Sequence, residues 1–320
     1  MSGKRPAEPP SVVLPRRGFV LLILLTVFWG ANWPIIKTAL EELPVLTFRA
    51  LCLAGGAMVM LALSKLLGHS LRIPRHQWPA LLLVGLFNIT LWHVVTGYGV
   101  DLTASGRAAI IAYTMPIWTV PFGYIILKER VTWRRALSLT LGTVGLVILI
   151  ATDPGTLNGS PKGPLLLLFG AVIWALGTIF QKRVAWEAPT MVLVGWQYLI
   201  CGIPIFIAAS AAVDYDNVPF PSTWPLLSVV YNILIAFVFC YYAYYEIVRL
   251  FPVAIATIGM LATPVVGLFS GAWLLGEPLD WAEYSALVLV VLALGIPVLT
   301  RPPNVTINRA PEGEKSERNE

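Results

Sequence analysis

Aromatic rings and uncharged polar side chains lie close together near the centres of several long apolar runs. Asn32 follows Trp29 by three residues and Trp92 follows Asn88 by four, so each pair shares one face if its run is helical. A ring can stack on a planar substrate or bind a cation, and an amide can donate and accept hydrogen bonds. Packing and hydrogen bonds between helices are the alternative roles for such side chains. Together these residues indicate an amphiphilic binding cavity.

The predicted binding residues combine an aromatic or hydrogen-bonding side chain with a place inside an apolar run. They are Trp29, Asn32, Trp33, Asn88, Trp92, His93, Tyr98, Tyr113, Trp118, Trp174, Gln197 and Tyr242. Tyr242 belongs to a group of tyrosines at 241–245, which forms either an interfacial belt or the inner mouth of a path across the membrane.

Charged residues are nearly absent from the apolar runs. Arg49 is the exception; it is expected to attract a substrate carboxylate or, by preference, to tie helix ends together. All 17 acidic residues fall in loops, tails or the ends of runs, and Glu129 and Glu277 are predicted to be structural because a carboxylate suits the start of a helix. His93 is therefore the candidate for proton coupling, and facilitated movement down a gradient is equally open.

No sequence pattern indicates a catalytic residue, a metal site or a cofactor. The chain has no G-x-x-x-x-G-K-[ST] loop for ATP, and its apolar runs hold no HExxH, paired aspartates or Ser/His set. Cys52, Cys201 and Cys240 each lie alone in an apolar run, so we interpret them as small buried hydrophobes. These absences disfavour a membrane-embedded enzyme.

The composition places the binding residues in a bilayer. The chain is 57% hydrophobic and 12% charged, with a mean hydropathy of +0.76, whereas a soluble domain carries about 25% charged residues. A membrane helix needs about 20 apolar residues. Runs of that kind lie at 19–38, 44–66, 79–98, 104–127, 133–151, 164–182, 190–212, 225–246, 253–275 and 281–300. The sequence therefore predicts an all-α integral membrane protein with ten transmembrane helices.

Basic residues are distributed unequally between the two sides of these spans. Most Lys and Arg lie on the side of the N-terminus, and the opposite side holds Lys37, Arg107 and Lys162. Because basic loops stay in the cytoplasm, residues 1–18 and 301–320 are predicted to be cytoplasmic tails, the second one disordered, and 152–163 an external linker. The net charge of +5 then reflects topology, and no nucleic acid is expected as a partner.

The two halves of the chain repeat each other. Trp29 aligns with Trp174 at an offset of 145 residues, and Pro116 aligns with Pro264 at an offset of 148. Each copy holds five spans, an odd number, so residues 19–151 and 164–300 are predicted to be two inverted five-helix repeats. Pro116 and Pro264 are predicted hinges because a proline removes a helix hydrogen bond, with a static kink as the alternative.

At these landmarks the chain resembles the drug/metabolite transporter superfamily, and within it the EamA family. The resemblance rests on the WG pair in the first span, on Pro44 followed by Arg49, and on a block that runs from Tyr98 to Glu129 and again from Tyr244 to Glu277. It implies a secondary transporter that exports small metabolites across the bacterial inner membrane by alternating access around a central cavity.

The aromatic content is most like that of exporters of aromatic amino acids, so amino acids, including aromatic ones, are the expected substrates. Quaternary or planar aromatic cations are the alternative, and a membrane-embedded enzyme is a distant third. The expected partners are the small-molecule substrate and the lipid bilayer, and the oligomeric state is left open.

Overall fold

The structure is a computed structural model that describes residues 16–127, 133–152, 161–250 and 262–299. These residues form α-helices with short 3-10 and π segments, and none of them lies in a strand. Most of the two predicted tails, Glu129, and residues 153–160 of the predicted linker lie outside this described part.

The described helices lie within or close to the predicted spans, and residues 253–261, at the start of the ninth predicted span, lie outside the described part. In the first half they are α1 (Arg16–Leu40), α2 (Val45–Leu66), α3 (Arg75–Asp101), α4 (Ser105–Ala112), α5 (Met115–Leu127) and α6 (Trp133–Ala151). In the second half they are α7 (Lys162–Lys182), α8 (Thr190–Ala212), α9 (Thr223–Tyr231, Asn232–Cys240 and Tyr241–Leu250 in succession), α10 (Thr263–Leu275) and α11 (Trp281–Leu299). Six of these are long and apolar enough to cross a membrane by length and composition, namely α1, α2, α3, α7, α8 and α9.

The fourth predicted span is not continuous. It is divided into α4 and α5 at Tyr113 and Thr114, directly before Pro116. Proline has no N–H, so a helix that ran on through Pro116 would leave the carbonyl of Ala112, the last residue of α4, without its partner. Pro264 likewise stands in the first turn of α10. Pro116 therefore separates two helices rather than weakening the interior of one.

Two helices contain a π segment at their centre. Leu86–Leu91 in α3 and Asn232–Cys240 in α9 are wound more widely than the helix on either side. The hydrogen bonds of a π-helix run from residue i to i+5, so a residue four positions along no longer lies directly above its partner. Both segments contain an asparagine, Asn88 and Asn232, which are buried.

The helices pack as pairs that surround a common interior. The most extensive contacts join α6 to α11, α1 to α10, α8 to α2, and α3 to α7. The largest buried apolar cluster draws side chains from nearly all of these helices and includes Phe48, Leu53, Ile110 and Tyr198. Seven of the twelve predicted binding residues meet at a cavity among α1, α2, α3, α5, α7 and α9.

Candidate substrate cavity

A cavity of about 90 Å³ lies between α1, α2, α3, α5, α7 and α9. One water molecule needs roughly 10–15 Å³ on this measure, so the cavity can hold several waters or a small organic molecule. Its described lining consists of Trp29, Asn32, Trp33, Ile36, Arg49, Trp92, His93, Thr96, Tyr113, Met115, Trp174, Ala236, Phe237, Tyr241 and Tyr244. Seven of the predicted binding residues are therefore brought to one place.

Trp29 is held in the cavity by two tyrosines of α9. Its ring lies edge-on to Tyr241, with centroids 5.5 Å apart at 84°, and is tilted at 43° to Tyr244 at 5.8 Å. Edge-on and tilted contacts place the positive rim of one ring near the negative face of another, which is the favoured arrangement. These contacts orient the Trp29 ring while leaving it part of the cavity wall.

Trp174 contacts a different aromatic partner from that of Trp29. Its ring packs on Trp92 of α3, with centroids 4.8 Å apart at 57°. The lining continues through Trp33 and Tyr113, whose rings meet edge-on at 6.5 Å. Both central tryptophans thus belong to an aromatic wall built from several helices.

His93 adds an imidazole that is stacked but not hydrogen-bonded to the described residues. Its ring lies 4.8 Å from that of Phe237, nearly parallel at 23°. The side chain is buried, and neither Nδ1 nor Nε2 has a hydrogen-bond partner among the described residues. The imidazole can therefore donate to or accept from a molecule in the cavity.

Two further polar side chains in the lining have buried atoms without a partner in the described part of the chain. They are Asn32, through Oδ1, and Arg49, through Nε. Leaving a buried polar atom unpaired costs about 1–3 kcal/mol, and more for a charged group. Most buried polar groups in proteins are paired, so three such side chains around one cavity make it a candidate binding site.

Five predicted binding residues are not part of the described lining. Tyr98 is 38% exposed, Trp118 packs against the apolar core, and Gln197 is buried beside Gly85 of α3. Asn88 donates from Nδ2 to Gln181 Oε1 at 3.5 Å, and Tyr242 accepts a hydrogen bond from Arg17 Nη2 at 3.0 Å. Asn88 lies in the π segment of α3 and faces α7, as Trp92 does, because a Cβ added at Gly177 of α7 would meet its side chain.

The profile of the EamA-like transporter family matches this chain over residues 16–151 and again over residues 161–298. The chain belongs to the EamA-like transporter family. It is a multi-pass membrane protein, since members are transporters and several of its helices can cross a bilayer.

Similar proteins within this family carry transporter names. The chain is 26% identical to the uncharacterized transporter YvbV of Bacillus subtilis (strain 168) over 284 residues, which covers 88% of this chain and 92% of that protein. It is 28% identical to the uncharacterized inner membrane transporter YedA of Escherichia coli (strain K12) over 280 residues, with coverage of 86% and 89%. It is also 28% identical over 307 residues to a protein of Escherichia coli (strain K12) named "Probable amino-acid metabolite efflux pump", covering 89% of this chain and 96% of that one.

A solved crystal structure supports the fold. That structure has a TM-score of 0.64 and 20% sequence identity, and it covers 88% of this chain and 96% of its own chain. At this identity the likeness concerns the fold alone.

This EamA-like protein has a second cavity, of about 280 Å³, lined by several charged and polar side chains as well as apolar ones. Several of the charged groups bind one another or the backbone. Lys37 Nζ donates to the carbonyls of Val100, Asp101 and Thr103 at 2.9, 2.6 and 3.1 Å. Lys37, Arg107, Glu277 and Glu283 already have protein partners, whereas Thr103 Oγ1 is buried without one in the described part of the chain. Because most of its charged groups are paired and its lining holds no aromatic ring among the described residues, the second cavity is a weaker candidate for a substrate site than the aromatic one.

Acidic residues in and near the second cavity join separate helices. Glu277 accepts hydrogen bonds from the N–H groups of Ser105 and Gly106 at 2.5 and 2.9 Å, so this carboxylate caps α4. Glu283 of α11 pairs with Arg107 of α4.

A third carboxylate, Glu42, lies outside the spans and outside this cavity. The Ser222 N–H and hydroxyl donate to it, and these bonds hold the pKa of that carboxyl below its usual value. All three carboxylates act as structural ties.

Eight lining residues were not among the predicted binding residues. Ile36, Met115, Ala236 and Phe237 are apolar and carry no signal that separates a cavity wall from ordinary packing. Tyr241 and Tyr244 belong to the tyrosine group at 241–245, from which the sequence predicts Tyr242 as the binding residue. Arg49 stood out in the sequence as a charge inside a span, and Thr96 lies on α3 three residues after His93.

Proposed function

We propose that this chain is a secondary transporter that exports small metabolites, chiefly amino acids and among them aromatic ones, by alternating access and without ATP. The observation that carries the proposal is the central cavity, in which aromatic rings alternate with buried polar atoms that have no partner among the described residues. Rings of this kind suit an aromatic or apolar side chain, and the polar atoms suit the charged groups of an amino acid. The name of the E. coli amino-acid metabolite efflux pump is in keeping with this substrate class.

The proposed architecture is ten transmembrane helices arranged as two inverted five-helix repeats, residues 19–151 and 164–300. Two observations support it. The family profile matches the chain twice in succession. The helix contacts also occur as equivalent pairs: α1 packs on α10 as α7 packs on α5, and α3 packs on α7 as α9 packs on α1. Two copies that face opposite ways can exchange conformations, which gives outward-open and inward-open states of similar shape.

The proposed hinges are Pro116 and Pro264. Both occupy the first turn of a helix. Before Pro116 the helix of the span is interrupted at Tyr113 and Thr114. A break of this kind leaves the two parts of a span able to change their angle without breaking further helix hydrogen bonds. Such breaks are typical of transporter helices that approach the substrate near the middle of the membrane.

The chemistry of the cavity favours amino acids over cationic drugs. Quaternary or planar aromatic cations call for a carboxylate near the rings, yet none of the described lining residues is acidic, and Arg49 brings a positive charge. The rings alone would supply only the cation–π contribution. The described lining likewise holds no set of acid, base and nucleophile of the kind that a membrane-embedded enzyme would use.

The proposal is tested by transport in purified liposomes. Full-length protein is reconstituted without nucleotide, and counterflow of a panel of labelled amino acids is measured with and without an imposed pH gradient. We expect counterflow of at least the aromatic amino acids in the absence of ATP. No counterflow of any amino acid, or counterflow only with ATP and a further subunit, contradicts the proposal.

A further inference from the structure

We propose that Arg49 is the carboxylate anchor of the central cavity, so that a free carboxylate is a requirement for transport. This inference rests on the proposed function and specifies which part of the substrate the protein recognises. It differs from the structural tie between helix ends that the sequence favoured for Arg49.

Arg49 is a buried guanidinium with very few protein partners. Arg49 is 2% exposed and lines the cavity from α2. Its one hydrogen bond within the described structure runs from Nη2 to Thr96 Oγ1 at 3.5 Å, the outer limit for such a bond. No carboxylate or backbone carbonyl of the described residues accepts a bond from it, and its Nε is buried without a partner.

The position of Arg49 is nevertheless fixed. Its guanidinium carbon lies 5.4 Å from the centroid of the Phe48 ring. It also passes so close to Gly97 of α3 that a Cβ at that position would lie 3.2 Å from Nε. Thr96 donates its own hydroxyl hydrogen to the carbonyl of Trp92 at 2.6 Å, which leaves an oxygen lone pair toward Arg49. The guanidinium is therefore held in place by shape while most of its five N–H donors stay uncommitted.

A guanidinium fork of this kind matches a carboxylate. Arg presents parallel donors that bind both oxygens of a carboxylate, and it stays charged even in an apolar setting. A charged side chain inside a membrane protein faces a cavity or a partner and marks a functional site by default. The other arginine beside a cavity, Arg107, shows the contrast, because it is paired with Glu283.

The same cavity also offers an acceptor for the other charge of an amino acid. Asn32 Oδ1 is buried without a partner in the described structure, and the rings of Trp29 and Tyr244 lie in the same wall. An amide oxygen and aromatic faces together suit an ammonium group. The arrangement thus predicts a zwitterion whose carboxylate meets Arg49, and it predicts rejection of molecules in which the carboxylate has been neutralised.

The test uses the full-length protein in liposomes and labelled L-phenylalanine as the probe. Counterflow by the unmodified protein is challenged with unlabelled L-phenylalanine, with L-phenylalaninamide, and with 3-phenylpropionate. We expect the amide to compete at least tenfold more weakly than the amino acid, and 3-phenylpropionate, which keeps the carboxylate, to compete better than the amide. Equal competition by the amide and the amino acid overturns the anchor and leaves the transporter proposal standing.

Variants of Arg49 test whether this residue causes the discrimination against the amide. Arg49→Gln is expected to raise the half-saturating concentration of L-phenylalanine at least tenfold and to abolish the discrimination against the amide, with Arg49→Lys intermediate because a lysine lacks the fork. Arg72→Gln is the matched control, since Arg72 is exposed between α2 and α3. Folding is followed by thermal melting. If Arg49→Gln does not fold, the competition on the unmodified protein still decides the matter, whereas absence of any amino-acid counterflow refutes the proposed function itself.

Discussion

At the scale of single residues, the two central tryptophans occupy one cavity with different neighbours. Trp29 is fixed by Tyr241 and Tyr244, and Trp174 is fixed by Trp92. Aromatic residues that anchor a membrane protein belong at the interfaces, whereas these rings lie in a cavity wall. Their partners hold them at defined angles, so a substrate ring can meet them without prior rearrangement.

The tryptophans can be tested against an exposed ring of the same type. Trp29→Ala and Trp174→Ala are expected to weaken apparent affinity for an aromatic amino acid, since a ring pair contributes about 0.5–1.5 kcal/mol beyond area burial and about 1.4 kcal/mol corresponds to a tenfold change. Trp273→Ala is the control, because Trp273 is 84% exposed on α10. Transport kinetics are measured beside thermal melting. Unchanged transport in both cavity variants refutes the assignment, and a lost melting transition in Trp29→Ala assigns the ring to packing.

The sequence predicts which rings are unusual but not which apolar residues join them. Trp29 and Trp174 are recognisable because they lie mid-span and align in the repeat. Phe237 and Met115 are ordinary apolar residues whose place in the wall depends on how α9 and α5 are set against α1. Arg49 is recognisable as a charge inside a span, but the sequence does not show that none of the described carboxylates pairs with it, which depends on the packing of α2 on α3.

At the scale of helices, the length of each apolar run predicts the position of a span. It does not predict where the helix within that span is interrupted. In a bilayer every backbone polar group must be satisfied within its own element, so an apolar run of sufficient length becomes a helix. The interruption before Pro116 has a local cause that the sequence does show, namely the N–H that proline lacks. The π segments of α3 and α9 have no such marker in the sequence.

One buried ion pair ties α4 to α11. Arg107 Nε lies 2.5 Å from Glu283 Oε1, and the two side chains are 10% and 4% exposed. Glu283 also accepts a hydrogen bond from the N–H of Asp280 at 2.9 Å at the start of α11. A buried pair is weak support for stability as a whole, but removing one partner leaves a buried charge without its counter-ion. Coupling between the two side chains is therefore the quantity to measure.

A double-mutant cycle measures that coupling. Glu283→Gln and Arg107→Gln are each expected to lower the free energy of unfolding by about 3–5 kcal/mol, and the double variant by much less than their sum. Glu187→Gln serves as the surface control, because Glu187 pairs with His76 where both side chains are well exposed, and such pairs contribute about 0–1 kcal/mol. The measurement is denaturant or thermal unfolding in detergent. Additive effects of the two buried substitutions contradict the coupling.

At the scale of the whole molecule, the odd number of spans in each proposed repeat determines the topology. Five spans carry the chain from one side of the membrane to the other, so the second copy begins on the opposite side and is inverted relative to the first. An even number would return the chain to its starting side, and the copies would be parallel. The excess of Lys and Arg on the N-terminal side predicts the direction of the whole arrangement, because basic loops tend to remain in the cytoplasm.

Cysteine labelling tests this topology at two matched positions. The native Cys52, Cys201 and Cys240 are buried and are first replaced by alanine or serine, and the resulting protein is checked for transport. A single cysteine is then placed at Asn158, in the proposed external linker, or at His69, an exposed residue between α2 and α3 in a proposed cytoplasmic loop. A membrane-impermeant maleimide added to intact cells is expected to label the first variant and to label the second only after permeabilisation. Since the two positions are separated by three proposed spans, labelling of both from the same side means that one span is miscounted and the repeats are not inverted. The reverse pattern keeps the inverted repeats and shows that the basic loops face outward.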